Sequence, residues 1–185
     1  SQIVAQRLAR RLNLTNPNIS AVDENVIKSS KVVVIAGPSP HTEVARVFLE
    51  KKISVVSTSD DIADCLNLLA LSDLAKKNNV TLIVGSASSP GMSALLARSM
   101  SKAFDEIDEV HVALHGTGGP SCARQHHRAL SGQSIGWHDG EWLRRPAGSG
   151  RELCWFPEPV GAYDCYRGEL PDPLLIKRAF PELTR

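Results

Sequence analysis

The segment between residues 109 and 130 carries the densest set of chemically capable side chains in the sequence. It reads EVHVALHGTGGPSCARQHHRAL and places three glycines, one cysteine and three histidines after a short apolar run. Gly116, Gly118 and Ser121 approach the G-x-G-x-x-G/A spacing, in which small residues let the backbone come close to a pyrophosphate. Pro120 interrupts this turn and no second strand–helix–strand unit follows, so the spacing alone is a weak indication of dinucleotide binding.

A metal site is the second chemistry that this segment could support. Cys122 and His126 are four residues apart and would share one face of a helix, with His127 beside them. Thiolate and imidazole are common zinc ligands, but zinc sites draw three or four ligands from recognisable clusters. Neither C-x-x-C nor H-E-x-x-H occurs in the sequence. We therefore assign no residue to a metal and keep a metal-dependent enzyme as an alternative.

The composition excludes several classes of protein. The 185 residues carry a net charge of +1 at pH 7, without the basic stripe typical of nucleic-acid binding, so we expect no nucleic-acid partner. No apolar run reaches the roughly 18 to 20 residues that cross a bilayer, and residues 1–12 lack the apolar region of a signal peptide, so we expect no membrane partner. Four irregularly spaced cysteines indicate free thiols and a cytoplasmic location.

Short apolar runs that alternate with amphipathic segments predict the architecture. Val32–Ala36 and residues 53–61 and 80–84 predict buried parallel strands that are covered on both faces. Asp60 or Asp61 is expected to cap the second of the helices between these strands. Helices are predicted for residues 1–12, 41–52 and 61–79 and for the segment after Gly91. This order predicts an α/β fold with a parallel sheet.

The sequence pattern changes after about residue 106. Residues 109–114 alternate like a half-exposed strand, and the remainder is rich in Gly, Pro and Trp. Such a composition predicts short antiparallel strands joined by long loops. We therefore predict one α/β domain over residues 1–104 and part of a smaller α+β domain over residues 105–185.

Three loops are candidates for ligand binding, because ligands meet open parallel sheets beyond the carboxyl ends of the strands. Gly37 leaves room for a ligand to approach the backbone, and Pro38 fixes the turn. Pro90 and Gly91 precede a helix whose free N–H groups could meet an anion or an amide. The three loops are AGPSPH (36–41), STSDD (57–61) and GSASSPGM (85–92).

The stretches VVVIAGPSPHTEVARVFLEKKISVVSTSDD, TLIVGSASSPGMSALLA and DEVHVALHGTGG occur in this order over roughly residues 31–120. Together they resemble the saccharopine dehydrogenase-like family of NAD(P)-binding reductases, most of all its bacterial members. The resemblance implies a partial Rossmann-type parallel sheet, followed by part of a smaller α+β substrate domain. It also implies NAD or NADP as cofactor, a small amino-acid-derived substrate and a homodimer.

The same resemblance implies roles for particular residues. The loops after the strands would border the nicotinamide side of the cofactor. Reduction of an imine needs a proton donor near the nitrogen and a group that binds the substrate carboxylate. The candidate proton donors are His115, His126 and His127. The candidate carboxylate-binding residue is Arg124. The implied cofactor-binding residues are Gly37, Pro38, Ser39, His41, Ser57, Thr58, Pro90, Gly91 and Met92.

The sequence departs from the family pattern at both ends. The Gly-rich nucleotide loop of the family precedes its first helix, and SQIVAQRLARRL looks like that helix, so we expect the loop upstream of Ser1. The usual second strand is hard to find, and Asp23 is the one candidate for its ribose-binding acidic residue. The C-terminal return of the family is expected beyond Arg185. Should the natural protein lack the Gly-rich loop, a non-catalytic Rossmann-like binding or scaffold protein is the alternative to a reductase.

Overall fold

The computed structural model describes residues 29–116 and 118–185. The helix predicted over residues 1–12 and the candidate ribose ligand Asp23 lie outside these residues. The chain divides into two compact units, Ser1–Val32 and Val33–Arg185, and every contact given below lies within the second. The domain boundary expected near residue 104 stays a prediction.

A three-stranded parallel sheet forms the centre of the first half of the described chain. Its strands are β1 (Val32–Ile35), β2 (Ser54–Ser57) and β3 (Leu82–Val84), in the order β1-β2-β3. Val55 of β2 pairs with Leu82 of β3 in parallel register. The three strands confirm the prediction from the apolar runs and bring their carboxyl ends to the same edge of the sheet.

Four helices accompany this sheet. They are α1 (Thr42–Glu50), α2 (Ile62–Ala70), α3 (Ser72–Lys77) and α4 (Met92–Met100), the last followed by a 3-10 turn at Ser101–Ala103. The single helix predicted over residues 61–79 is divided into α2 and α3 at Leu71. The buried core of this half consists of Ala45, Leu49, Val55, Leu68, Leu71 and Ala75.

Coverage of the sheet differs from the prediction. Val55 is fully buried, whereas Val34 is 61% and Ile83 47% exposed. Among the described residues, therefore, one face of the sheet packs against helices and the other does not, and the prediction that both faces are covered is wrong for them. The physical reason is that β-branched residues favour the pleated backbone whether or not a layer covers them.

The second half contains two helices and two antiparallel strand pairs. Helix α5 (Pro120–Ala129) leads into the pair β4 (Gln133–His138) and β5 (Glu141–Pro146). A second pair follows, β6 (Glu152–Phe156) with β7 (Gly161–Cys165), and α6 (Asp172–Ala179) comes after it. Short antiparallel strands are confirmed. No helix in the described part of the chain is both long and apolar enough to cross a membrane.

The strand predicted at residues 109–114 is wrong, because the structure has neither strand nor helix there. Val110 and Val112 do alternate toward the interior, where they pack against a cluster of Ile176, Phe180 and Leu183. The backbone N–H of Val110 donates to the carbonyl oxygen of Arg185 at 3.1 Å, outside any strand ladder. Alternating burial against a helix thus produces the same sequence pattern as a strand.

Candidate functional site

An open cleft of about 1620 Å³ lies at the carboxyl edge of the sheet. Two groups of residues line it. The first, here called the sheet lining, comprises residues 36–40 after β1, Thr58, Asp60 and Asp61 after β2, and residues 87–89 after β3. The second, the C-terminal lining, is contributed by residues between Val110 and Arg185. The three predicted ligand-binding loops therefore reach a common space.

His41 fixes the shape of the loop after β1. Its ring is buried, with Nε2 2.9 Å from the carbonyl oxygen of Gly37 and Nδ1 2.8 Å from the hydroxyl of Ser57. A carbonyl can only accept, so Nε2 carries a proton, and in a neutral ring Nδ1 accepts from the Ser57 hydroxyl. Both ring nitrogens are thereby used within the protein, and neither His41 nor Ser57 lines the cleft.

Asp64 anchors the start of α1 from the neighbouring helix α2. Its carboxylate accepts hydrogen bonds from the backbone N–H groups of His41 (2.8 Å) and Thr42 (3.1 Å) and from the Thr42 hydroxyl (2.5 Å). Burial opposes ionisation, but the hydrogen bonds from Thr42, Ser59 and the backbone outweigh it, and the pKa of Asp64 is lowered. This role could not be predicted from the sequence, because the partners lie 22 and 23 residues apart.

Asp61 confirms the predicted cap of α2. Its side chain accepts from the backbone N–H of Asp64 at 2.8 Å, three residues into the helix. Capping of this kind satisfies a backbone donor that has no partner inside the helix. Asp60 also lines the cleft but does not cap the helix.

Gly37 presents open backbone to the cleft. A Cβ built at this position would meet no heavy atom within 4 Å. Beside it, the hydroxyl of Ser39 lies 2.8 Å from that of Ser59, and the N–H of Thr58 donates to the carbonyl of Ile35 at 3.1 Å. This part of the cleft is thus shaped by main chain and small side chains, which permits close approach by a flat or extended ligand.

The loop after β3 is a tight turn tied to the C-terminal half. Gly91 has a φ of +136°, and a Cβ there would meet the carbonyl oxygens of Ala87 and Gly85 at 2.5 Å. The hydroxyls of Ser89 and Ser93 both donate to the buried carboxylate of Asp172 in α6. Ser89 lines the cleft, whereas the predicted cofactor residues Pro90, Gly91 and Met92 do not.

Two of the three candidate proton donors line the cleft. His115 and His126 belong to the C-terminal lining, and His127 does not. The ring of His115 stacks on Tyr163 of β7 at 4.4 Å between centroids and lies 5.6 Å from Phe156 of β6. His126 is exposed on α5, so its ring nitrogens are open to solvent and ligands.

Three arginines give the C-terminal lining a positive charge. Arg124 and Arg128 of α5 and Arg145 of β5 all line the cleft and are exposed. In the described residues, none of the three guanidinium groups makes an ion pair or a hydrogen bond, unlike that of Arg151, which pairs with Asp164 at 2.9 Å. Their donors are therefore available for a carboxylate or another anion, which guanidinium groups bind in a bidentate manner.

The metal alternative finds no support in this geometry. Cys122, His126 and His127 all lie on α5, but no group of three His, Cys, Asp or Glu side chains within residues 29–116 and 118–185 could hold a metal ion. The near match to a dinucleotide motif at Gly116 and Gly118 is not preceded by a strand, which that motif requires. Neither a protein-family model nor a curated protein matches the chain.

Proposed function

We propose that the protein is an NAD(P)-dependent oxidoreductase of the saccharopine dehydrogenase-like type, built on a Rossmann-type sheet and acting on a small amino-acid-derived substrate. One observation carries the proposal. Loops that follow parallel strands share a single cleft with two of the candidate proton donors, His115 and His126, and with three arginines whose guanidinium groups are unpaired among the described residues. Open parallel sheets bind nucleotides at this edge, and the second group of side chains matches the chemistry of an acidic substrate.

The sheet lining suits a nicotinamide cofactor. Gly37 offers its backbone without a Cβ in the way, and Ser39 and Thr58 add small polar groups beside it. His41 and Ser57, expected to touch the cofactor, support it indirectly by holding the Gly37 carbonyl in place. Pro90 and Gly91 likewise act by shaping the loop that carries Ala87, Ser88 and Ser89 into the cleft.

The C-terminal lining suits the reacting part of the substrate. A bound nicotinamide cofactor would supply or accept the hydride. His115 and His126 are both exposed at the cleft, and His126 is the better placed proton donor because one face of the His115 ring is stacked on Tyr163. Arg124 lies two residues earlier on the same helix and would bind the substrate carboxylate.

Cofactor titration of the full-length protein tests the proposal. We expect NADH or NADPH fluorescence to rise on binding, and Gly37→Val to weaken binding about tenfold or more, since its branched side chain enters the space of the cofactor. Gly119→Val is the matched control: Gly119 also has open space around its Cβ but does not line the cleft. The control should bind like the wild type.

The outcomes separate the alternatives. Absence of nicotinamide binding by the folded wild-type protein contradicts the reductase proposal. Binding with no NAD(P)H oxidation across amino-acid and keto-acid pairs favours a non-catalytic binding protein instead. Equal loss of affinity in Gly37→Val and Gly119→Val would mean that the loop after β1 does not bind the cofactor. The reductase proposal would then rest on the loops after β2 and β3.

A further inference from the structure

Two cysteines lie next to each other on the second antiparallel strand pair. In the register of β6 and β7, Glu152 faces Cys165 and Cys154 faces Tyr163. Cys154 and Cys165 are therefore diagonal neighbours on the same face of the pair, because positions two residues apart along a strand share a face. Both are half-buried, and both line the cleft.

The backbone register holds the two thiols on one face of the strand pair before any chemistry takes place. Burial raises the pKa of Cys154, and the neighbouring thiol of Cys165 raises it further.

The other two cysteines have different surroundings. Cys65 is fully buried in the first half of the chain, and burial together with the nearby Asp64 raises its pKa to about 12. Cys122 is exposed on α5. All four are free thiols, so the protein offers one buried thiol, one exposed single thiol and one adjacent pair.

We propose that Cys154 and Cys165 form a redox-active dithiol that a hydroperoxide oxidises to an intramolecular disulfide. One thiolate attacks the peroxide oxygen, which breaks the O–O bond, releases water (or an alcohol) after protonation, and leaves a sulfenic acid. The second thiol then displaces the sulfenic hydroxyl, which leaves as water, and the S–S bond forms. Two thiols and one hydroperoxide thus give one disulfide, with two electrons passing to the peroxide.

The diagonal placement favours a reversible bond over a structural one. Diagonal cross-strand neighbours are about 7 to 8 Å apart, wider than the roughly 5.5 to 6 Å between Cα atoms that a relaxed disulfide prefers. A two-stranded ribbon can twist to bring them closer, at the cost of some strain. Strained disulfides have higher reduction potentials and are reopened more easily by cellular thiols.

Formation of the disulfide would change the position of a side chain in the cleft. Tyr163 lies directly opposite Cys154 and carries the stacked ring of His115. If the strand pair twists to bring the two sulfur atoms together, Tyr163 moves as well, and with it the ring on which His115 is stacked. This consequence does not depend on which ligand the cleft binds.

Peptide mapping of the wild-type protein tests the dithiol. Trypsin cleaves after Arg151 and Arg167, so both cysteines fall in one peptide, Glu152–Arg167, whereas Cys122 falls in another. After treatment with one equivalent of hydrogen peroxide, we expect this peptide to lose two hydrogen atoms and to resist alkylation. Dithiothreitol should restore two alkylatable thiols.

Single variants and the other cysteines provide the controls. Cys154→Ser and Cys165→Ser should each leave a thiol that alkylates or advances to sulfinic acid, without the loss of two hydrogens. The proposal is overturned if Glu152–Arg167 keeps two free thiols under conditions that oxidise Cys122. It is equally overturned if both cysteines carry separate oxygen adducts or if either is linked to Cys122.

Discussion

The sheet lining and the C-terminal lining of the cleft use polar side chains in opposite ways. Behind the sheet lining lie three buried residues, His41, Ser57 and Asp64. The ring of His41 is hydrogen-bonded to the Ser57 hydroxyl, and its backbone N–H donates to the Asp64 carboxylate. In the C-terminal lining, Arg124 and His126 are exposed, and no partner holds their side chains in the described part of the chain. The first region uses its polar groups to hold loops and helices in place, and the second leaves them without protein partners among the described residues.

This difference has an energetic basis. A buried polar group that loses its partner costs about 1 to 3 kcal/mol, because neither water nor protein replaces the hydrogen bond. An exposed guanidinium group without a partner is solvated by water and can change partners freely. Substitutions behind the sheet lining should therefore act on stability, and substitutions in the C-terminal lining on binding.

The largest expected effect is that of Asp64→Ala. The change leaves two backbone N–H groups and the Thr42 hydroxyl without their acceptor at the start of α1. We expect the free energy of unfolding to fall by about 3 kcal/mol, as for the loss of a buried hydrogen-bond network. Urea denaturation measures this fall, and Asp64→Asn, which keeps one carbonyl oxygen, should lose less.

The stability of the wild type should also depend on pH through Asp64. Its pKa in the folded protein is below the ordinary value of 3.8, so the ionised carboxylate stabilises the fold above that pH. The contribution is lost as the pH falls from 3.8 through the lower folded pKa. Asp64→Asn should lack this part of the acid-induced loss, and an identical pH profile in the two proteins contradicts the role assigned to Asp64.

A smaller effect is expected at Gly91. Gly91→Ala forces a side chain into a backbone with φ +136° and against two carbonyl oxygens, so we expect a loss of about 2 kcal/mol in unfolding free energy. Gly37→Ala is the matched comparison from the loop after β1, because open space surrounds Gly37. Thermal denaturation of both variants measures the difference, and equal stabilities show that the turn after β3 is less constrained than its geometry indicates.

The sequence predicted the parts of this fold that depend on local signals. Apolar runs that end at Gly37 or Gly85 located two of the strands and their loops, and the spacing of Asp61 before a helix located its cap. These features depend on residues a few positions apart, so one segment contains the whole signal. The common edge of the loops then follows from the parallel order of the strands.

The sequence could not predict features that depend on distant partners. The alternation in residues 109–114 predicts a strand equally well when its apolar residues pack on α6, as Val110 and Val112 do. Asp64 lies in a helix like many carboxylates, and only the approach of α1 makes it an anchor. Coverage of β1 and β3 likewise depends on which layers reach the sheet.

The two neighbouring histidines of α5 show that helical spacing alone does not predict which side chain lines the cleft. His126 and His127 are neighbours on α5, and successive residues of an α-helix point about 100° apart, since 3.6 residues make one turn. Spacing alone does not decide which of the two rings faces the cleft, since the successive residues Arg124, Gln125 and His126 all line it. Only the packing of α5 shows that His126 lines the cleft and His127 does not.

The smallest expected effect on stability, at Arg124, separates the two linings most sharply. Arg124→Ala should change the free energy of unfolding by less than about 0.5 kcal/mol, because the side chain is exposed and unpaired among the described residues. Binding of a carboxylate substrate should nevertheless weaken about tenfold or more, and Arg124→Lys should restore only part of it, since lysine lacks the bidentate geometry. Denaturation and substrate titration on the same preparations measure both quantities. A loss of stability close to that of Asp64→Ala would mean that Arg124 belongs to the folded framework, and the contrast between the two linings would then fail at the residue proposed to bind the substrate carboxylate.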